Sequence, residues 1–166
     1  NFQRVIASDS TTASTIVSAM LYNGWSHFSI MQTSNLWGFG FTISLMHEAR
    51  ALNMTIDRLA LFTDGDQESV QKAVGELATP STFAHIGAVA NVIILLCYRS
   101  SDLPMILVEA ASKNLLEWPY VWVVPDSLSP DSGNSLLASG AISRDLYEKL
   151  AGFNQLLIHP ESLPGY

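Results

Sequence analysis

Arg4-Val5-Ile6-Ala7-Ser8-Asp9, followed by Ser10-Thr11 and closed further on by Asn23-Gly24-Trp25, decides how this chain is read. Residues 2–6 form a short apolar run of strand type that ends on Ser8-Asp9. Residues 11–22 then read as a helix, with Ile16, Val17, Met20 and Leu21 on one face, stopped by Asn23-Gly24. Ser and Asp cap helix N-termini and present oxygen acceptors there. In an open α/β sheet the carboxyl end of a strand is where ligands are held. Ser8 and Asp9 are therefore candidate binding residues, with capping as the plainer role for Asp9.

Outward from that point the same alternation continues. Residues 27–32 read as a strand, 33–35 as a loop, and 37–52 as a helix whose Phe41, Leu45, Ala49 and Leu52 recur at helical spacing. Residues 55–62 are β-branched and apolar, hence a strand, and Thr63-Asp64-Gly65-Asp66 turns into a helix over 67–78 capped by Asp66. Residues 91–97 form a continuous apolar strand of the kind buried on both faces. Ser101-Asp102-Leu103-Pro104 opens the next helix, with proline in the first turn where its missing N–H costs nothing. That helix ends near Asn114, and 120–124 is another buried strand. Repeated β-α units with short connections imply an α/β fold, a doubly wound and mainly parallel sheet with helices on both faces. Beyond Pro125 a serine- and proline-rich loop, a short helix over 146–150 and an edge strand over 153–158 are expected. Residues 1–159 read as a single lobe and 160–166 as a linker or hinge tail.

Composition narrows the function. The 166 residues are 48% hydrophobic and 14% charged, enough apolar material for a sizeable core and too little charge for disorder. Such low charge also implies that part of the surface is normally covered. The net charge of −7, with eight Lys and Arg scattered along the chain, argues against a nucleic-acid partner. No apolar run reaches the ~18 residues that cross a bilayer, so membrane attachment would come from segments outside this sequence. The single Cys97 excludes an internal disulfide and a cysteine metal site, and sits inside an apolar strand as a small hydrophobe.

The motifs and their order resemble the second lobe of the periplasmic-binding-protein type I family. That family includes the ligand-binding ectodomains of metabotropic glutamate and GABA receptors, natriuretic-peptide-receptor cyclases and bacterial amino-acid-binding proteins. Arg4 to Asp9 and Asn23-Gly24-Trp25 are similar to its opening strand and the turn after its first helix. Asn35-Leu36-Trp37-Gly38 is similar to its aromatic-Gly loop, and the strand ending on Tyr98 to one that ends on tyrosine in GABA receptors. Tyr120 to Asp126 resembles the strand that closes the lobe core, and Leu146 to Asn154 the segment returning across the hinge. The family's S-D-G-W after that closing strand is here Pro125-Asp126-Ser127-Leu128. The resemblance implies a lobe of an extracellular or periplasmic receptor closing on a small amino-acid or amine-like ligand. It implies carboxylates at Asp9 and Asp126 for the ligand's ammonium, and aromatic contacts from Trp37 and Tyr98. Its partners would be the missing first lobe and a second receptor copy, with class C receptors (metabotropic, G-protein coupled) and receptor cyclases closest in look.

Each residue also has a plain structural role. Trp37 can staple a helix to the core, Tyr98 can end a strand with its hydroxyl in water, and Asp126 can be a turn acid. The four histidines are scattered, so no metal site is expected. Gly38-Phe39-Gly40 lacks the third glycine of a dinucleotide loop, no Walker lysine is present, and no nucleophile motif occurs, so neither cofactor nor catalysis is expected. Asn53-Met54-Thr55 fits the N-glycosylation sequon, a tripeptide that also arises by chance. The alternatives to a receptor lobe are a transporter's solute-binding protein and a free-standing doubly wound enzyme domain.

Overall fold

The computed structural model describes residues 9–79, 91–117, 119–124, 137–138, 140 and 142–144. The strand expected over 2–6, Ser8, Asp126, the loop after Pro125, the helix over 146–150, the edge strand over 153–158 and the tail all lie outside the described residues.

Among the described residues four strands and four helices alternate: α1 (Asp9–Tyr22), β1 (His27–Thr33), α2 (Leu36–Ala51), β2 (Thr55–Phe62), α3 (Gln67–Ala78), β3 (Asn91–Leu96), α4 (Leu103–Ser112) and β4 (Tyr120–Val123). A 3-10 turn, Ser100–Asp102, leads into α4. The strands form one parallel sheet in the order β2-β1-β3-β4. Connections run outward from β1 to β2 on one side, then back across β1 to β3 and on to β4. Right-handed crossovers in opposite directions must put their helices on opposite faces. Accordingly, α1 and α2 pack with Phe28, Ile30, Val92, Ile94, Leu96, Val121 and Val123 on one face. Helices α3 and α4 pack with Met31, Ala60, Phe62, Ile93, Leu95 and Trp122 on the other. The doubly wound α/β architecture expected from the sequence is what is observed.

Local chemistry explains where the elements stop. In α1, Gly24 adopts φ 75° and the N–H groups of Gly24 and Trp25 bond back to Leu21 O and Met20 O, the Schellman pattern. Asp66 caps α3 by accepting from Glu68 N and Ser69 N. Pro104 lies in the first turn of α4. Two apolar residues escape the faces assigned to them: Leu21 and Leu52 are substantially exposed. Leu21 lies to the side of the buried stripe Ala13, Ile16, Val17 and Met20, and Leu52 is the cap of α2, where the backbone has already left helical geometry.

Trp122 anchors the α3/α4 face. It is buried, and its indole N–H donates to Leu115 O at 2.7 Å. Replacing it with phenylalanine removes that donor and part of the core volume, and should lower stability by about 2 kcal/mol. A shift of the urea midpoint at unchanged slope is the expected signature. A variant as stable as wild type would contradict this account of the core.

Candidate functional site

The strand order reverses between β1 and β3, so the loops leaving their carboxyl ends diverge and open a crevice there. From β1 the chain passes through Ser34 and Asn35 into α2, and from β3 through Cys97, Tyr98 and Arg99 toward α4.

Asn35 builds one wall. Its Oδ1 accepts from Gly38 N at 2.9 Å, capping α2 and fixing the first helical turn, which carries Trp37. Gly38 allows that turn to close on β1, since a Cβ there would run into the carbonyl oxygen of Thr33. Trp37 is then held between the core and the rim. Its ring centroid lies 5.7 Å from that of buried Phe41 and 5.8 Å from that of Tyr98, at tilted angles of 55° and 50°. Tyr98 is 60% exposed. Two of the residues singled out in the sequence thus stand in ring contact across the mouth, offering an aromatic surface to the crevice.

Asp9 is the first residue of α1, in its acidic first turn, and is half-buried. The helix ends beside the start of β1, where Trp25 N bonds to Met20 O, and runs along the sheet next to α2. Its N-terminus therefore stands at the strands' carboxyl end, the same end as Trp37 and Tyr98. Asn53 follows α2, at the opposite end of the sheet, and takes no part in this mouth.

A polar knot lies beside the aromatic pair, and the sequence had offered its acids only as turn and helix-start residues. Asp64, after β2, accepts from the Thr33 hydroxyl and from Asn35 Nδ2, the latter at 3.2 Å. Arg99 Nε lies 3.9 Å from its Oδ2. Asp102 is 2% exposed, and its Oδ1 accepts from Gly65 N at 3.2 Å. Burial, with the like charge of Asp64, raises the Asp102 carboxyl above its ordinary range, against the lowering effect of Gly65 N–H, Arg99 and the Ser101 side chain. The signal that could have found them is an acid in the loops that leave β2 and β3, Asp64 and Asp102.

Cys97 is buried, and its thiol donates to Arg99 O at 2.9 Å. Burial and the nearby Asp102 push the thiol up to about 12, so it stays protonated and unreactive at neutral pH. No group of three or more His, Cys, Asp or Glu suited to a metal occurs among the described residues. No helix among them is long and apolar enough to cross a membrane.

A parallel sheet that reverses its order beside a mouth of this kind is the architecture of a doubly wound, ligand-binding lobe. Comparison with known sequences agrees: residues 1–165 match the receptor family ligand binding region, and the chain belongs to that family, of the periplasmic-binding-protein type I kind. Its members are extracellular or periplasmic ligand-binding domains. No curated protein shows significant similarity to the chain.

Two outcomes follow from this geometry. Gly38→Ala should push α2 away from Thr33 at a cost of about 1–3 kcal/mol and disturb the Trp37–Tyr98 contact, visible as a changed near-ultraviolet dichroism signal. The second outcome concerns pH. A carboxyl whose folded pKa is raised favours folding most below its ordinary value of 3.8, and that contribution is lost as pH rises through the folded value. Asp102→Asn keeps an acceptor for Gly65 N and removes the charge. The variant should lose less stability than wild type between about pH 4 and pH 7 in denaturant titrations. Parallel curves would show that Asp102 does not carry the effect.

Proposed function

We propose that this chain is the second lobe of an extracellular receptor ectodomain that senses a small amino-bearing molecule and signals across a membrane through segments outside this sequence. The observation that carries the reading is the Trp37–Tyr98 ring contact at the strand-order reversal, at the same end of the sheet as Asp9. An aromatic face and a carboxylate suit an ammonium group. Helix N-termini at the same rim suit a carboxylate, so an amino acid would find a partner for each of its charges.

The mechanism is closure. Ligand docks mainly on the missing first lobe, and this lobe adds its contacts only in the closed state, so binding shifts an open–closed equilibrium. A dimer of such receptors, of the metabotropic or cyclase type, would transmit the change. The lobe works as a binding module without turnover of its own: the buried thiol is held protonated, and Asp64 and Arg99 are engaged with one another.

Calorimetry on the two-lobed ectodomain with a panel of amino acids and amines tests this. The isolated lobe should bind weakly or not at all, because it supplies half the contacts and none of the closure; each tenfold of lost affinity is about 1.4 kcal/mol. In the two-lobed protein Asp9→Ala should weaken binding by about 2–5 kcal/mol if the ammonium pair is buried on closure. Tyr98→Ala should cost about 1–2 kcal/mol. Full affinity from the single lobe, or an Asp9→Ala variant that binds like wild type, would overturn the reading.

A further inference from the structure

Three helices end in the same way, and one of these ends carries more than a cap. In α1, α2 and α4 the residue after the cap is left-handed: Gly24 at φ 75°, Asn53 at φ 54° and Asn114 at φ 57°. After α2, Asn53 N bonds to Arg50 O and Met54 N to Ala49 O; after α4, Asn114 N bonds to Ala111 O and Leu115 N to Ala110 O. Asparagine tolerates this conformation better than other side-chain-bearing residues, which accounts for its presence at both sites. Asn114 is followed by Leu115-Leu116, so the cap needs no hydroxyl two residues on. Asn53 is followed by Met54-Thr55, and it alone of the eight asparagines stands in a sequon.

The surroundings suit a modification. Asn53 and Thr55 are both exposed, and the Thr55 hydroxyl makes no hydrogen bond among the described residues, its backbone N–H bonding to Ser26 O. Asn53 also lines a shallow depression of about 610 Å³ with Ile43, Met46, His47, Arg50 and Ile56. Ile43 is 67% and Met46 50% exposed, although each is a large apolar side chain on a helix whose other face is already packed. Thr55 begins β2, the edge strand of the described sheet. An apolar shelf beside an open edge is the kind of surface that proteins cover or blunt.

We propose that Asn53 carries an N-linked glycan whose first sugars lie over this shelf, apolar ring faces against Ile43 and Met46 and hydroxyls toward His47 and Arg50. The bond joins Asn53 Nδ2 to the anomeric carbon of the sugar, with a polyprenyl diphosphate as leaving group and the lost amide proton taken up by the transferase. The proposal rests on the extracellular reading above.

The test uses the full-length protein, expressed in a eukaryotic host with a second sequon in a tag at its extracellular terminus. Peptide mapping after glycosidase treatment should find Asn53 converted to Asp. Occupancy should vanish in Asn53→Gly, which keeps the helix cap, and in Thr55→Ala, and persist in Thr55→Ser. Removing the glycan from the folded protein should raise binding of a hydrophobic dye, and Asn53→Gly should show the same rise without glycosidase. An occupied tag with a bare Asn53 overturns the proposal while leaving the extracellular reading intact. A bare tag overturns both, and an unchanged dye signal overturns coverage of the shelf.

Discussion

The parallel pairing of β1 with β3 is the constraint on which the rest of this lobe depends. Their register, from Phe28 with Val92 to Gln32 with Leu96, places the two strands side by side although β2 lies between them in the chain. The chain must therefore leave β1 on one side and return on the other. Handedness then assigns α2 to one face and α3 and α4 to the opposite one, so that both faces are covered and β3 can be apolar from Val92 to Leu96. The same reversal makes the loops after β1 and β3 part company. Fold and crevice are thus two consequences of one pairing.

What the crevice presents is set by how the loops are tied. Asp64 accepts from Thr33 and Asn35 and faces Arg99, so the ends of β1, β2 and β3 are linked through a single carboxylate. Asn35 is bonded on both ends of its amide, to Gly38 N and to Asp64. That double engagement orients the first turn of α2 and with it Trp37. The rim is therefore rigid where the aromatic surface is built, while Tyr98 leaves much of its ring to solvent. Pre-ordering of this kind reduces the entropy that a ligand must remove on binding.

The fold was legible because each strand and helix announces itself locally. The β2 and α3 boundaries, the Asp66 cap and the Pro104 position follow from β-branched runs, capping chemistry and the tolerance of proline in a first turn. Trp37 and Tyr98 were legible through their motifs. Their mutual contact was not, because they lie far apart in the chain and only the β1–β3 pairing brings them together. Asp64 and Asp102 were hidden for a related reason: a post-strand acid has the same sequence signature whether it turns the chain, caps a helix or ties two loops. Leu21 and Leu52 fit a helical period, yet periodicity alone does not fix how wide the buried stripe is or where the helix ends: Leu21 falls beside the stripe that ends on Met20, and Leu52 is a cap.

The low charge of the chain can now be given a location. The described core takes up both faces of the sheet, yet Leu36, Ile43, Met46, Leu59 and Leu61 remain exposed on α2 and the neighbouring edge strand. Helix α2 is apolar on its packed side and again on its outer side, a pattern found where a helix is covered twice. One covering is the sheet. For the second, the two ends of α2 differ: its start faces the ligand mouth, where closure of a partner lobe would bury apolar surface, and its end carries the sequon. An outer surface so divided explains why α2 can expose Leu36, Ile43 and Met46 in a chain that is acidic overall.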